Sequence, residues 1–355
     1  MSIVPLYGHE TLRRRLASAV QRDALPASLV IHGPRGIGKQ RLALWLGQLL
    51  LCERRGDEPC GECAHCRYAA ALAHPDLRWI FPRDRLTSSD VGRAEIEEDM
   101  AEGVAKRLAL HGLYERPGGK EAIFVATVRA IVQLAALTPS LASRKIFVIG
   151  DADRMVAQEG SDQAANAFLK LLEEPPADTT LILTTSEPGA LLPTIRSRSV
   201  ALRAAPLSEK DMRAFLADPL VRERLGDTLT PDAAVKVAGG APGTLLSSGT
   251  HGEALEAARE LLEAAGQGRA AWSRAALSVG ATGARGKFSE MLDALLLLLT
   301  EGQRGALAQQ SPARALAISE AVEAVEKAKE RASGNANPQL VAAALIPPLA
   351  AVTDR

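Results

Sequence analysis

The sequence predicts an α/β fold, a parallel sheet crossed by helices, followed by a remainder that is all helix. Short apolar, β-branched runs at Ser28–His32, Lys145–Gly150 and Thr180–Thr185 read as buried strands, with helical spacing between them. The stretch GPRGIGKQ follows the first run and opens the helical pattern RLALWLGQLL. After about residue 205 strand signals stop, and from Glu253 onward the chain is Ala/Leu-rich with charges at helical spacing. Strands alternating with helices indicate crossovers and a parallel sheet.

The remaining elements follow in order. A helix is expected over Asp162–Glu173, ended by Pro175 and Pro176, and another over Val125–Leu137, stopped near Pro139. Residues 84–120 are polar, carry Gly118 and Gly119, and read as a surface excursion. Pro206 and Ser208 open the helical stretch SEKDMRAFL, and a Gly-Pro cluster at Gly239–Gly243 interrupts it. Three domains are expected: 1–205 α/β, 206–250 small and helical, 251–355 helical.

Composition bounds the function. A chain of 355 residues is long for one core. A hydrophobic share of 47% with 24% charged residues is an ordinary globular balance. Its 42 basic and 42 acidic residues give no support for a dominant nucleic-acid patch. The N-terminal MSIVPLYGHE lacks a secretory layout, and the most apolar run, Leu295–Leu299, is too short to span a bilayer. All four cysteines fall between positions 52 and 66, which points to a metal site rather than disulfides and to a reducing, cytoplasmic setting without membrane contact.

GPRGIGKQ nearly matches a phosphate-binding loop. Gly33, Gly38 and Lys39 stand where the pattern requires them and Gly36 lies between, but Gln40 replaces the Ser or Thr whose hydroxyl holds Mg²⁺. Backbone N–H groups of such a loop cradle phosphates and the lysine reaches the terminal ones. Gln40 leaves ATP binding open, because an amide does not reproduce the compact hydroxyl ligand. Asp151, just past a buried strand, stands at the place of a Mg²⁺-associated carboxylate, and with Asp153 it also reads as an acidic cap on the next helix, the favoured reading. Position 152, where an ATPase carries a water-polarising Glu, is Ala, and Asp153 is expected to point elsewhere.

Cys52-x₇-Cys60-x₂-Cys63-x₂-Cys66 has the spacing of a structural Zn²⁺ site, with Pro59 and Gly61 at the turns. His65 is surplus to that set and is expected at the surface. In PTIRSRSV, Arg196 and Arg198 are expected to alternate along an extended segment, and one of them could serve as an arginine finger across a subunit boundary.

GPRGIGK, the four-cysteine insertion, DADRM, NAFLKLLEEPP and the Ser197-Arg198 pair together resemble bacterial clamp-loader subunits of the AAA+ class. The resemblance covers roughly residues 5–205. It implies a RecA-like AAA+ domain with a zinc-binding insertion, a small helical lid and a helical collar for oligomerisation. Gln40, Ala152, Ser199 in place of a Cys, and GGAPGT at Gly239–Thr244 in place of a nucleotide-sensing Arg set this chain apart from the motor subunits. They match the delta-prime type of DNA polymerase III, which has eroded ATPase motifs. The resemblance implies partnership with gamma/tau and delta subunits, transient contact with the sliding clamp and primer-template DNA, and Arg198 acting in a neighbour's ATP site. The alternative is an active gamma/tau-type motor.

Overall fold

In a computed structural model the described residues are 3–54, 56–86, 91–114, 121–156, 162–226, 230–246, 248–268, 271–272, 285–308, 311–333 and 337–353. They fall into two units, Met1–Leu246 and Ser247–Arg355.

The first unit is built on five parallel strands: β1 (Ser28–His32), β2 (Leu77–Ile80), β3 (Lys145–Ile149), β4 (Thr179–Thr185) and β5 (Val200–Arg203). Their order is β2-β3-β4-β1-β5. β3 and β4 are buried at every position, and their middles, Ile146–Ile149 and Leu181–Leu183, read as unbroken apolar runs. β5 is an edge strand, largely exposed, and β2 has only four residues with Arg78 among them. These two carry weak strand signals. The chain leaves β1 for the far edge at β2 and returns strand by strand, so the carboxyl ends of β1, β3 and β4 open on one side of the sheet. That is where open α/β sheets bind ligands.

Helices cover the sheet: α1 (Glu10–Gln21), α2 (Lys39–Leu51), α3 (Ala64–Ala70), α4 (Arg93–Ala109), α5 (Val125–Ala135), α6 (Asp162–Glu173) and α7 (Pro193–Ser197). α2 buries Leu42, Leu46 and Leu49 against Leu29, Ile31, Ile146 and Ile182 of the sheet, forming one core. Phe147, Ile149, Leu181 and Leu183 face the other way, into a second core with Val128, Ile131 and Phe168 of α5 and α6. The excursion expected over 84–120 is more than surface. Its described part contains α4, and Arg107 on that helix is buried.

Three short helices follow: α8 (Glu209–Ala217), α9 (Pro219–Leu225) and α10 (Pro231–Ala238). Ser208, Asp218 and Thr230 cap them by accepting from the N–H groups of Asp211, Leu220 and Ala233. Each cap of this kind is worth about 1 kcal/mol.

The second unit contains α11 (Ser248–Gly266), α12 (Arg285–Ala308), α13 (Pro312–Ser333) and α14 (Pro338–Thr353). Each helix packs on the next and α14 returns against α11. Their shared core includes Ala258, Leu261, Leu292, Leu295, Ile318, Ala321, Val325, Leu345 and Leu349. Alternating alanine with leucine lets the helices approach while filling the space between them. Among the described residues no helix is long and apolar enough to cross a membrane.

Candidate functional site

The loop 33–40 connects β1 to α2 at the carboxyl end of the sheet. Its glycines are required by close approach. A side chain at Gly33 would meet the Ala204 carbonyl oxygen at 2.2 Å, and Gly36, at φ +74°, touches Gly243 backbone to backbone. Gly243 donates its N–H to the Gly36 carbonyl at 2.9 Å, so the GGAPGT segment is seated directly on the loop. Gly38, at φ 90°, starts α2.

Lys39 does not extend into open space. Its ammonium donates to the carbonyls of Gly33 (2.9 Å) and Pro34 (2.7 Å) and to Ser186 Oγ (2.8 Å). Burial pushes its pKa down to about 8, with Asp151 and Asp153 opposing the shift. Arg35 of the loop is ion-paired with Glu187 after β4. His9 Nε2 lies 2.8 Å from the Ile37 carbonyl.

Gln40 is engaged at both ends of its amide. Its Oε1 accepts from Trp79 Nε1 (3.0 Å), Arg107 Nη1 (3.2 Å) and Tyr114 Oη (3.0 Å), and its Nε2 donates to Asp151 Oδ2 (3.0 Å). The Arg107 guanidinium lies 3.3 Å from the Phe81 ring centre, 3.8 Å from that of Tyr114 and 4.6 Å from that of Trp79. Burial lowers the Arg107 pKa, and that cost is offset by stacking on three aromatic faces. Sequence reasoning missed Trp79, Arg107 and Tyr114. An Arg within a charged helix looks like a solvated residue until its packing is known.

Asp151, at φ 48°, sits beyond β3 with its N–H directed to Thr184 Oγ1 (3.3 Å). Ala152 is buried and offers no carboxylate. Asp153 accepts from the Thr185 hydroxyl at the end of β4, and burial raises its pKa while that hydrogen bond opposes the rise.

The four cysteines do come together. Their Sγ atoms all lie within 4.8 Å of one another, with Cys60 and Cys66 3.9 Å apart. A tetrahedral thiolate site with metal–sulfur bonds of about 2.3 Å needs sulfur–sulfur spacings near ~3.8 Å, so the cluster fits a metal ion. Backbone N–H groups of Cys60, Cys63 and Cys66 point at the sulfurs of Cys52, Cys60 and Cys63, each at 3.4 Å. The N–H groups of Cys63 and Glu62 bring the Cys60 pKa down to about 6, whereas burial pushes Cys52 and Cys66 up. The module is clamped to the domain through Glu58, which pairs with Arg13 of α1 and accepts from Trp45 Nε1 at 2.7 Å. His65 is not at the surface as expected. It is half-buried, its Nδ1 2.8 Å from His74 Nε2, and it stands outside the sulfur cluster.

Arg196 and Arg198 do not alternate along a strand. Pro193 sets the first turn of α7 because its fixed φ suits a helix start, Arg196 lies in that helix and Arg198 caps it. Arg198 pairs with Glu173 Oε1 at 2.6 Å and donates to the Thr194 carbonyl and Ser197 Oγ. These partners lie outside the 33–40 loop.

A five-stranded parallel sheet in this order, with a glycine loop after β1 and an acidic residue after β3, defines an α/β domain with the layout of a phosphate-binding-loop fold. The family model described as "DNA polymerase III, delta subunit" matches residues 8–208, and the chain belongs to that family. It is 35% identical over 179 residues to the DNA polymerase III subunit delta' of Pseudomonas aeruginosa, covering 50% of this chain and 42% of that one. Against the subunit delta' of Escherichia coli it is 29% identical over 234 residues, 66% of this chain and 57% of the relative. It is also 28% identical over 249 residues to a DNA polymerase III subunit gamma/tau of Mycobacterium tuberculosis, 69% of this chain and 36% of the relative. The chain spans about half the length of the curated delta' relatives it matches.

Proposed function

We propose that the chain acts as a delta-prime-type subunit of the DNA polymerase III clamp loader, assembled with gamma/tau and delta subunits in the cytoplasm. Its role is to help load the sliding clamp onto primed DNA while hydrolysing little or no ATP itself. The observation that carries this reading is the Gln40 amide, which stands at the loop position expected for a Mg²⁺-holding hydroxyl and is bonded to Asp151 and to three other side chains. Ala152 adds to it, because the position directly after Asp151, where a water-polarising Glu is expected, carries no carboxylate.

Catalysis then lies in a neighbour's site. Arg198, half-exposed at the end of α7, would stabilise charge on a phosphoryl group transferred in the adjacent motor subunit. Arginine fingers are worth on the order of 10³–10⁵ in rate in well-studied NTPases. The short helices of 206–250 would serve as a lid and the helices of 251–355 as a collar. DNA contact would run mainly to the backbone and be shared with the partners.

Cys52, Cys60, Cys63 and Cys66 would hold Zn²⁺, a closed four-sulfur site that supplies folding stability and leaves no position for substrate. The N–H···S contacts and the Glu58 clamp fix the module without metal chemistry at the loop.

A motor-type reading is favoured by the gamma/tau likeness alone. ATP turnover separates the two. The isolated zinc-loaded chain should turn over no ATP above background. Clamp loading onto primed DNA by the reconstituted assembly should require it, and steady turnover by the chain alone would replace the proposal with the motor reading.

A further inference from the structure

The contacts of Gln40 bear on more than the loss of a hydroxyl. An amide oxygen has two lone pairs, and Gln40 Oε1 already serves three donors. To hold a divalent cation it would have to release the indole N–H of Trp79 and the guanidinium of Arg107, both buried. Its other end presents N–H, not oxygen, toward Asp151. Arg107 and Asp151 are therefore joined through the two ends of one amide, the cation on its oxygen and the carboxylate on its nitrogen.

Arg107 is held there by construction. α4 is tied to the residues after β2 through Arg83, which pairs with Asp99 at 2.6 Å and 3.1 Å. Gly103 lets that helix lie close, since a side chain there would meet Arg83 and Phe81 at about 3.0 Å. Tyr114, beyond the end of α4, closes the same cluster. This gives the 84–120 excursion a role that its polarity hides.

From this geometry we infer that α4 installs Arg107 as an internal cation which, through Gln40 and against Asp151, excludes divalent metal ions from the loop. Reverting Gln40 alone therefore does not rebuild a metal site, because the positive charge remains. The inference rests on reading residues 33–40 as a former nucleotide loop. It does not depend on the role of Arg198.

The test uses the full chain and Mn²⁺ with ATP as the probe, with free Mn²⁺ read by electron paramagnetic resonance. Wild type and Gln40→Thr are expected to hold no Mn²⁺ at the loop. Gln40→Thr/Arg107→Met is expected to gain Mn²⁺-dependent ATP binding by at least about ten-fold, whereas Gln40→Thr/Arg107→Lys, which keeps the charge, gains none. Folding of each variant is checked by circular dichroism, and the wild-type measurement needs no variant. ATP-dependent Mn²⁺ binding by wild type that Lys39→Met abolishes would overturn the inference. So would equal gain in Gln40→Thr alone, equal gain with Met and Lys at position 107, or no gain in the Met double variant. None of these outcomes touches the trans role of Arg198, which is read separately by ATPase of the assembly.

Discussion

Replacing Gln40 by leucine keeps the side-chain bulk and removes every hydrogen bond it makes. Trp79 Nε1 and the Arg107 guanidinium lose their acceptor, and these residues are only 5% and 7% exposed. A buried donor left without a partner costs about 1–3 kcal/mol, more when charged, so the pair predicts a loss of about 2–6 kcal/mol. That is a large fraction of the ~5–15 kcal/mol that holds a typical domain folded. Because the chain has two units, a single melting temperature mixes two transitions, and native-state hydrogen exchange of α2 amides is the better assay. Adding Arg107→Met to Gln40→Leu should recover more than ~1 kcal/mol, since removing both partners strands no buried charge. A loss under ~1 kcal/mol, or strict additivity of the two substitutions, would refute the claim that Gln40 is a structural node.

Other outcomes follow from the same geometry. Gly150→Ala places a methyl 2.4 Å from Gln40 Oε1 and should destabilise by about 1–3 kcal/mol in the same hydrogen-exchange assay, whereas Gly189→Ala, with nothing within 4 Å, should be nearly neutral. The purified chain should carry about one zinc per chain by metal analysis, and Cys63→Ser should lose both the zinc and thermal stability. Lys39 titrates at about 8 in the fold against 10.5 unfolded, so between these values the unfolded chain binds more protons and stability rises with pH. Urea melts at about pH 8, 9 and 10 should show that rise, and Lys39→Met should flatten it.

Much of this was legible in the residues, and what was hidden has physical reasons. β1, β3 and β4 announce themselves because central parallel strands are buried on both faces, so their middles, Leu29–Ile31, Ile146–Ile149 and Leu181–Leu183, are wholly apolar. The cysteines are equally plain, since thiolate spacing is dictated by metal geometry. β5 lies at the sheet edge and shows the mixed pattern VALR, so nothing in its residues separates it from a loop. Arg198 reads as part of an extended segment because the helix before it has only five residues, too few for a periodic signal. Arg107 was invisible for a deeper reason. Its burial depends on Phe81, Trp79 and Tyr114 meeting around it, and those contacts join three separate stretches of sequence.

The central claim is that this chain contributes an arginine and no hydrolysis of its own. DNA-stimulated ATPase of the reconstituted assembly, with wild type, Arg198→Ala or Arg198→Lys, tests it most directly. The account predicts normal assembly with both variants and a lower turnover number, with the one motor site next to this chain slowed by on the order of 10³ or more. Unchanged turnover in a fully assembled Arg198→Ala complex would contradict it.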